Sequence, residues 1–186
     1  QVLEQLTKAT GSFRSKVPIE AYGYEPKFKN FAEIEFTTDT CEVRAKYEND
    51  TASGIHKDNL LYDRQNLGIY NSYRCQSNFT WVTFEFTEPQ KLIGVGVASA
   101  YSSWHKRPNE VKVFTANDEN VDGADEGDSW REIGQRSLDF SNKYDCTDQL
   151  LLKEEITTSK LKFELKNLHE DLILISRIRF YKHKLL

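Results

Sequence analysis

Residues 160–166 read Lys-Leu-Lys-Phe-Glu-Leu-Lys, "KLKFELK". Successive side chains of a strand point to opposite faces, so Leu161, Phe163 and Leu165 share one side while Lys160, Lys162, Glu164 and Lys166 share the other. Such a stretch is a β-strand with one face against a core. Moving toward the C-terminus, "DLILISRIRFYKH" (171–183) begins apolar on both faces and then alternates Ile178 and Phe180 with Arg177, Arg179 and Tyr181, as in a strand whose end emerges into solvent. Moving toward the N-terminus, "NEVKVFT" (109–115) points Val111 and Val113 inward and is followed by Phe114. "KLIGVGVA" (91–98) does the same with Ile93, Val95 and Val97, and its two glycines allow a close approach or a bulge. "WVTFEF" (81–86) places Val82, Phe84 and Phe86 opposite Trp81, Thr83 and Glu85. Trp81 and Trp130, which begin or flank strands, are assigned to packing.

Further upstream, "AEIEFTT" (32–38) and "CEVRAKYEN" (41–49) read as a hairpin or a sheet-edge pair. The total comes to about seven or eight strands. Helical spacing is confined to "VLEQLTKA" (2–9), with Val2, Leu3 and Leu6 on one side, too short to be stable unless docked. The pattern predicts an all-β antiparallel sandwich over 41–186, with residues 1–40 as an N-terminal extension packed on it. That extension is expected to be a linker, an edge strand or part of a partner interface.

The chain has 186 residues, enough for one domain with a full core. Lys and Arg total 25 against 29 Asp and Glu, a formal charge of −4 that gives no general attraction to phosphate backbones or anionic lipid. Nucleic acid and membrane surfaces are therefore disfavoured as partners. No apolar run approaches the roughly 20 residues needed to cross a bilayer. Methionine is absent, which anticipates a processed product or an excised segment. Cys41, Cys75 and Cys146 lack the spacing of a zinc site, and an odd number leaves one thiol over if a pair such as Cys75 and Cys146 forms. Asn49-Asp50-Thr51 and Asn78-Phe79-Thr80 are N-glycosylation sequons in an extracellular or cell-surface setting; three reduced cysteines would suit the cytoplasm.

No nucleophile–base motif, zinc-protease motif or phosphate-binding loop occurs, and His56, His105, His169 and His183 are scattered. The chain reads as a non-enzyme that requires no cofactor. Calcium has one candidate in the acidic stretch 118–129, where Asp118, Asn120, Asp122 and Gly123 match the opening of an EF-hand loop and Glu126 falls at the ninth position. The twelfth position is Ser129, without the bidentate carboxylate of that motif. Recognition chemistry concentrates instead in "YSSWHKR" (101–107). Sugars stack their C–H faces on aromatic rings, which Tyr101 and Trp104 supply, while His105 and Arg107 offer directional donors.

The order of these segments resembles the discoidin, or coagulation-factor C-type, domain of the galactose-binding-like jelly rolls. Four stretches carry the resemblance between roughly Cys41 and His183: "EVRAKYENDTASGIHKDNLLYD", "WVTFEFTEPQKLIGVGV", "RPNEVKVFTANDEN" with "DSWREI", and "KLKFEL" with "ISRIRFYKH". The resemblance implies an eight-stranded jelly roll that binds a glycan or glycoprotein at the loops of one end. It places Tyr101, Trp104, His105 and Arg107 there, beside loops that hold Asp63, Tyr70 and Tyr73. Asp63 is the one side chain carried over from the family's calcium site. The family's usual disulfide joins a cysteine at the place of Cys41 to one after the last strand, where this chain has none. The competing expectation is a protein-interaction domain of a larger complex on the same sandwich.

Overall fold

A computed structural model describes residues 30–47, 56–62, 73–99, 106–116, 130–138 and 146–184. Nine strands run β1 Phe31–Ile34, β2 Cys41–Ala45, β3 Tyr73–Cys75, β4 Phe79–Ser99, β5 Glu110–Ala116, β6 Trp130–Ser137, β7 Cys146–Lys166, β8 Ile173–Ile175 and β9 Arg177–His183. A short 3-10 turn spans Lys57–Leu61, and no helix among the described residues is long and apolar enough to cross a membrane.

Two 21-residue strands, β4 and β7, organise the molecule by pairing antiparallel along almost their whole length. The register breaks between Glu85 and Gln90, where Pro89 cannot donate to the ladder. Thr87 leaves the ladder there and bonds the Thr40 carbonyl through its backbone N–H, at 3.0 Å, and through its hydroxyl, at 3.2 Å. On β7 the Thr158 hydroxyl accepts from the Lys160 N–H at 3.1 Å and from the Thr115 hydroxyl at 2.7 Å, so the interrupted backbone is satisfied. The break divides one continuous sheet into two layers. Layer one holds β2, the first half of β4, the second half of β7, then β5 and β6. Layer two holds β1, β9, the second half of β4 and the first half of β7.

The two layers close on an apolar core, as sandwiches do when strands switch sheets at a bend. Phe180 of layer two meets Phe84 and Phe163 of layer one with ring centroids 5.1 and 6.2 Å apart, and Phe36 and Phe86 surround it at 5.4 and 5.3 Å. Val82, Phe84, Val111, Val113, Leu161, Phe163 and Leu165 are all fully buried, as their alternation requires. Each such side chain contributes roughly 1.5–3 kcal/mol by leaving water.

Two expectations are corrected. β1 and β2 form no hairpin: β1 pairs with β9 and β2 with β4, at the edges of different layers. Leu92, not Ile93, enters the core, because a register irregularity between Leu92 and Gly94 shifts the phase before Val95 and Val97. Phe114 sits half-buried on the outer face, its ring beneath the Lys162 ammonium at 4.9 Å. Residues 31–34 of the expected extension are strand β1, while the expected helix at 2–9 lies outside the described residues.

Candidate functional site

The bend sets the two layers folded over one another, which returns the free ends of β4 and β7 to the same side of the molecule. Phe79 opposite Lys166 ends layer one there, and Ser99 opposite Cys146 ends layer two. Short hydrogen bonds knit the segments that leave these ends. The Asn109 N–H reaches the Lys166 carbonyl at 2.7 Å, the Leu138 N–H the Asn109 carbonyl at 2.6 Å, and the Asn167 N–H the Asn78 carbonyl at 2.8 Å. Across the gap between layers, the Ser176 N–H bonds the Ala98 carbonyl at 2.9 Å, and β8 carries on from there to pair with β3. Tyr73, where β3 begins, and the strand ends flanking residues 100–105 and 139–145 therefore lie at this one end.

Asparagine amides brace it. Asn167 is 1 % exposed; its Nδ2 donates to the Leu172 carbonyl at 2.6 Å and its Oδ1 accepts from the His169 N–H at 2.9 Å. Asn109 Oδ1 accepts from the Leu168 N–H. The turn 167–172 is thus fixed from both sides and holds Leu168 out at 64 % exposure.

The sequence-predicted residues fall into two groups. Tyr70, Tyr101, Trp104 and His105 lie outside the described residues, as do Asp63, Asp118, Asn120, Asp122 and Glu126. Among the described residues no group of three or more His, Cys, Asp or Glu side chains is arranged to hold a metal. Tyr73 is 2 % exposed, and its hydroxyl shares a hydrogen bond with the Thr80 hydroxyl at 2.8 Å and also meets the Tyr47 main chain. Burial pushes its phenol far above the ordinary range, so it is a neutral internal brace closed to a ligand. Arg107 is 4 % exposed, anchored at the base of the turn it was expected to project from. Lys106 beside it is half-exposed.

Cys41 and Cys75 are free and buried. Burial raises the Cys41 thiol to about 12, with smaller contributions from Asp58, Glu42 and Glu85; burial raises Cys75 as well. Both are protonated packing residues at neutral pH, without nucleophilic character.

Sequence reasoning missed the most exposed of the Phe, Tyr and Trp side chains among the described residues. Tyr47, at 42 % exposure, follows the end of β2 on the same side as Phe79, and the Lys46 ammonium lies over both rings at 5.7 and 5.4 Å. Its phase continues the inward set Cys41, Val43 and Ala45, so alternation alone predicts burial. The strand stops at Ala45, which frees it. A different concavity of about 300 Å³ opens at the opposite end between β5, β6 and β7, bordered by Thr115, Arg131, Glu154 and Thr157. Arg131 and Glu154 pair with each other across it at 3.0 Å.

No protein-family model matches the chain, and no curated protein sequence matches it. Solved structures do. A family 32 carbohydrate-binding module from Clostridium perfringens, in complex with GalNAc-β-1,3-galactose, superposes with a TM-score of 0.61 at 8 % identity over 81 % of this chain and 100 % of that one. Another from the same organism, in complex with galactose, gives 0.58 at 8 % identity over 81 % and 100 %. An F5/8 type C domain from Bacteroides fragilis gives 0.58 at 14 % identity over 84 % and 99 %. The fold is that of the discoidin-like and family 32 carbohydrate-binding β-sandwiches.

Proposed function

We propose that the chain is a non-catalytic saccharide-binding module that takes its ligand at the loop end of the sandwich. The observation that carries this reading is the convergence of Tyr73, Phe79, Ser99 and Lys166 at one end, where the Asn109 to Lys166 and Asn167 to Asn78 hydrogen bonds tie the chain. Solved structures of the same fold hold galactose and GalNAc-β-1,3-galactose, which supports a sugar as the ligand class. In this reading Tyr101 and Trp104 stack on a sugar ring, His105 and Tyr70 take hydroxyls, and Arg107 and Tyr73 hold the loops from beneath. Binding needs no metal, and the module works outside the cell.

A glycan microarray probed with the full chain tests this. At least one saccharide is bound, the binding persists in EDTA, and Trp104→Ala weakens it by tenfold or more. Binding that survives Trp104→Ala unchanged contradicts the assigned residues, and an array without any bound saccharide contradicts the function. One observation favours a second reading, a protein-docking domain: Leu168, exposed on a braced turn at the same end, has the form of an apolar anchor. Leu168→Ala then abolishes capture of a protein partner while leaving saccharide binding untouched.

A further inference from the structure

At the loop end of layer one, three neighbouring strands bring a row of side chains to the outer face. β2 runs out into Lys46 and Tyr47, β4 starts at Phe79, and β7 ends at Lys166. Phe79 is directly opposite Lys166 in the β4–β7 ladder. On the other side of β4, the Lys46 N–H bonds the Trp81 carbonyl at 3.0 Å and its ammonium leans over the Phe79 ring. An aromatic ring is thus flanked by two lysines, with the exposed Tyr47 ring beside them. Lys46 and Lys166 are both exposed.

These lysines, like Lys112 on β5, lack a counterion among the described residues, and they differ from Lys112 in their place beside the Phe79 ring. Arg44 pairs with Glu42 at 2.6 Å and Lys162 with Glu164 at 3.3 Å. Among the described residues Lys46 and Lys166 pair with no carboxylate. Glu110, which faces Lys166 from β5, forms no ion pair with it. A lysine resting on two rings is partly ordered before any ligand arrives, so less side-chain freedom is lost on binding. The rings supply a stacking surface for a pyranose, and the two ammonium groups supply charge that a neutral sugar would leave unused.

Resting on the saccharide-binding reading, we infer that the ligand is an anionic saccharide, and that Lys46, Tyr47, Phe79 and Lys166 form the strip that selects its charge. The shared chemistry is a sugar ring bearing a carboxylate or a sulfate ester.

Calorimetric titration of the full chain with trigalacturonate, with galactose 6-sulfate and with neutral galactotriose tests it. At low salt one of the acidic probes binds about tenfold tighter than galactotriose, as expected of two exposed charge contacts. The acidic probe that gains identifies carboxylate or sulfate as the group read. Added NaCl erodes the advantage, and the double variant Lys46→Gln with Lys166→Gln removes it without altering the galactotriose affinity. Tyr47→Ala weakens the acidic probe in both backgrounds. Equal affinity for acidic and neutral probes, or an acidic preference that survives the double variant, overturns the inference. Galactotriose binding that is lost in Trp104→Ala and shows no acidic preference ends this inference and keeps the broader reading. Silence toward all three probes also ends it, and the array then decides the broader reading alone.

Discussion

At Gly96 the outer face of layer two has no room for a methyl group. A Cβ there would stand 2.7 Å from Thr147 Cγ2 and 3.1 Å from the Tyr181 hydroxyl. Gly96→Ala is expected to cost about 1–3 kcal/mol in urea unfolding. Thr147→Ser removes the closest methyl and keeps the hydroxyl that accepts from Arg179 Nε at 3.0 Å, so the double variant recovers part of the loss. An unchanged unfolding midpoint in Gly96→Ala would refute the close approach. Cys41 makes a pH prediction. Its thiol ionises near 9.0 when unfolded and near 12 when folded, so between those values the unfolded chain binds fewer protons. Stability therefore falls as pH rises through that window, on the order of 1 kcal/mol per unit from this group. Urea unfolding at pH 8 and pH 10 checks it: Cys41→Ala loses less stability between the two than the parent does. The close approach at Gly96 was legible in "KLIGVGVA". The exposure of Tyr47 was not, because it depends on where β2 stops.

At the scale of elements, β1 is held to β9 by only four paired residues, and an ion cluster supplements that short ladder. Glu33 accepts from Arg177 at 2.7 Å and from Arg179 at 3.0 and 3.1 Å, with all three side chains largely shielded. Glu33→Gln leaves two guanidinium groups facing a neutral amide and is expected to cost about 2–4 kcal/mol. Hydrogen exchange at Ala32 and Ile34 should accelerate before the rest of the sheet; protection equal to that of the parent would contradict the clamp. The alternation in "KLKFELK", "WVTFEF" and "NEVKVFT" showed which faces build the core, since Leu161, Phe84 and Val111 obey it. It could not reveal that β4 continues through Pro89, nor that β1 pairs with the last strand rather than with β2. Those outcomes depend on the layers folding over one another, which no local period encodes.

At the scale of the whole molecule, the double-length strands explain why Phe79, Lys166, Ser99 and Cys146 lie at one end: a sheet bent once brings both pairs of strand ends together. The sandwich was foreseen through the family resemblance, while the aromatic turn and the loop before β3 that it sets side by side lie outside the described residues. The braces Asn109 and Asn167 were not foreseen, because an asparagine in a polar turn looks the same in sequence whether it is solvated or buried. The most direct test of saccharide binding at this end is a 15N–1H correlation titration of the full chain with the tightest ligand from the array. The largest shifts are predicted at Asn78, Lys106, Asn109 and Asn167. Shifts centred on Thr115, Arg131 and Glu154 at the opposite end would contradict it.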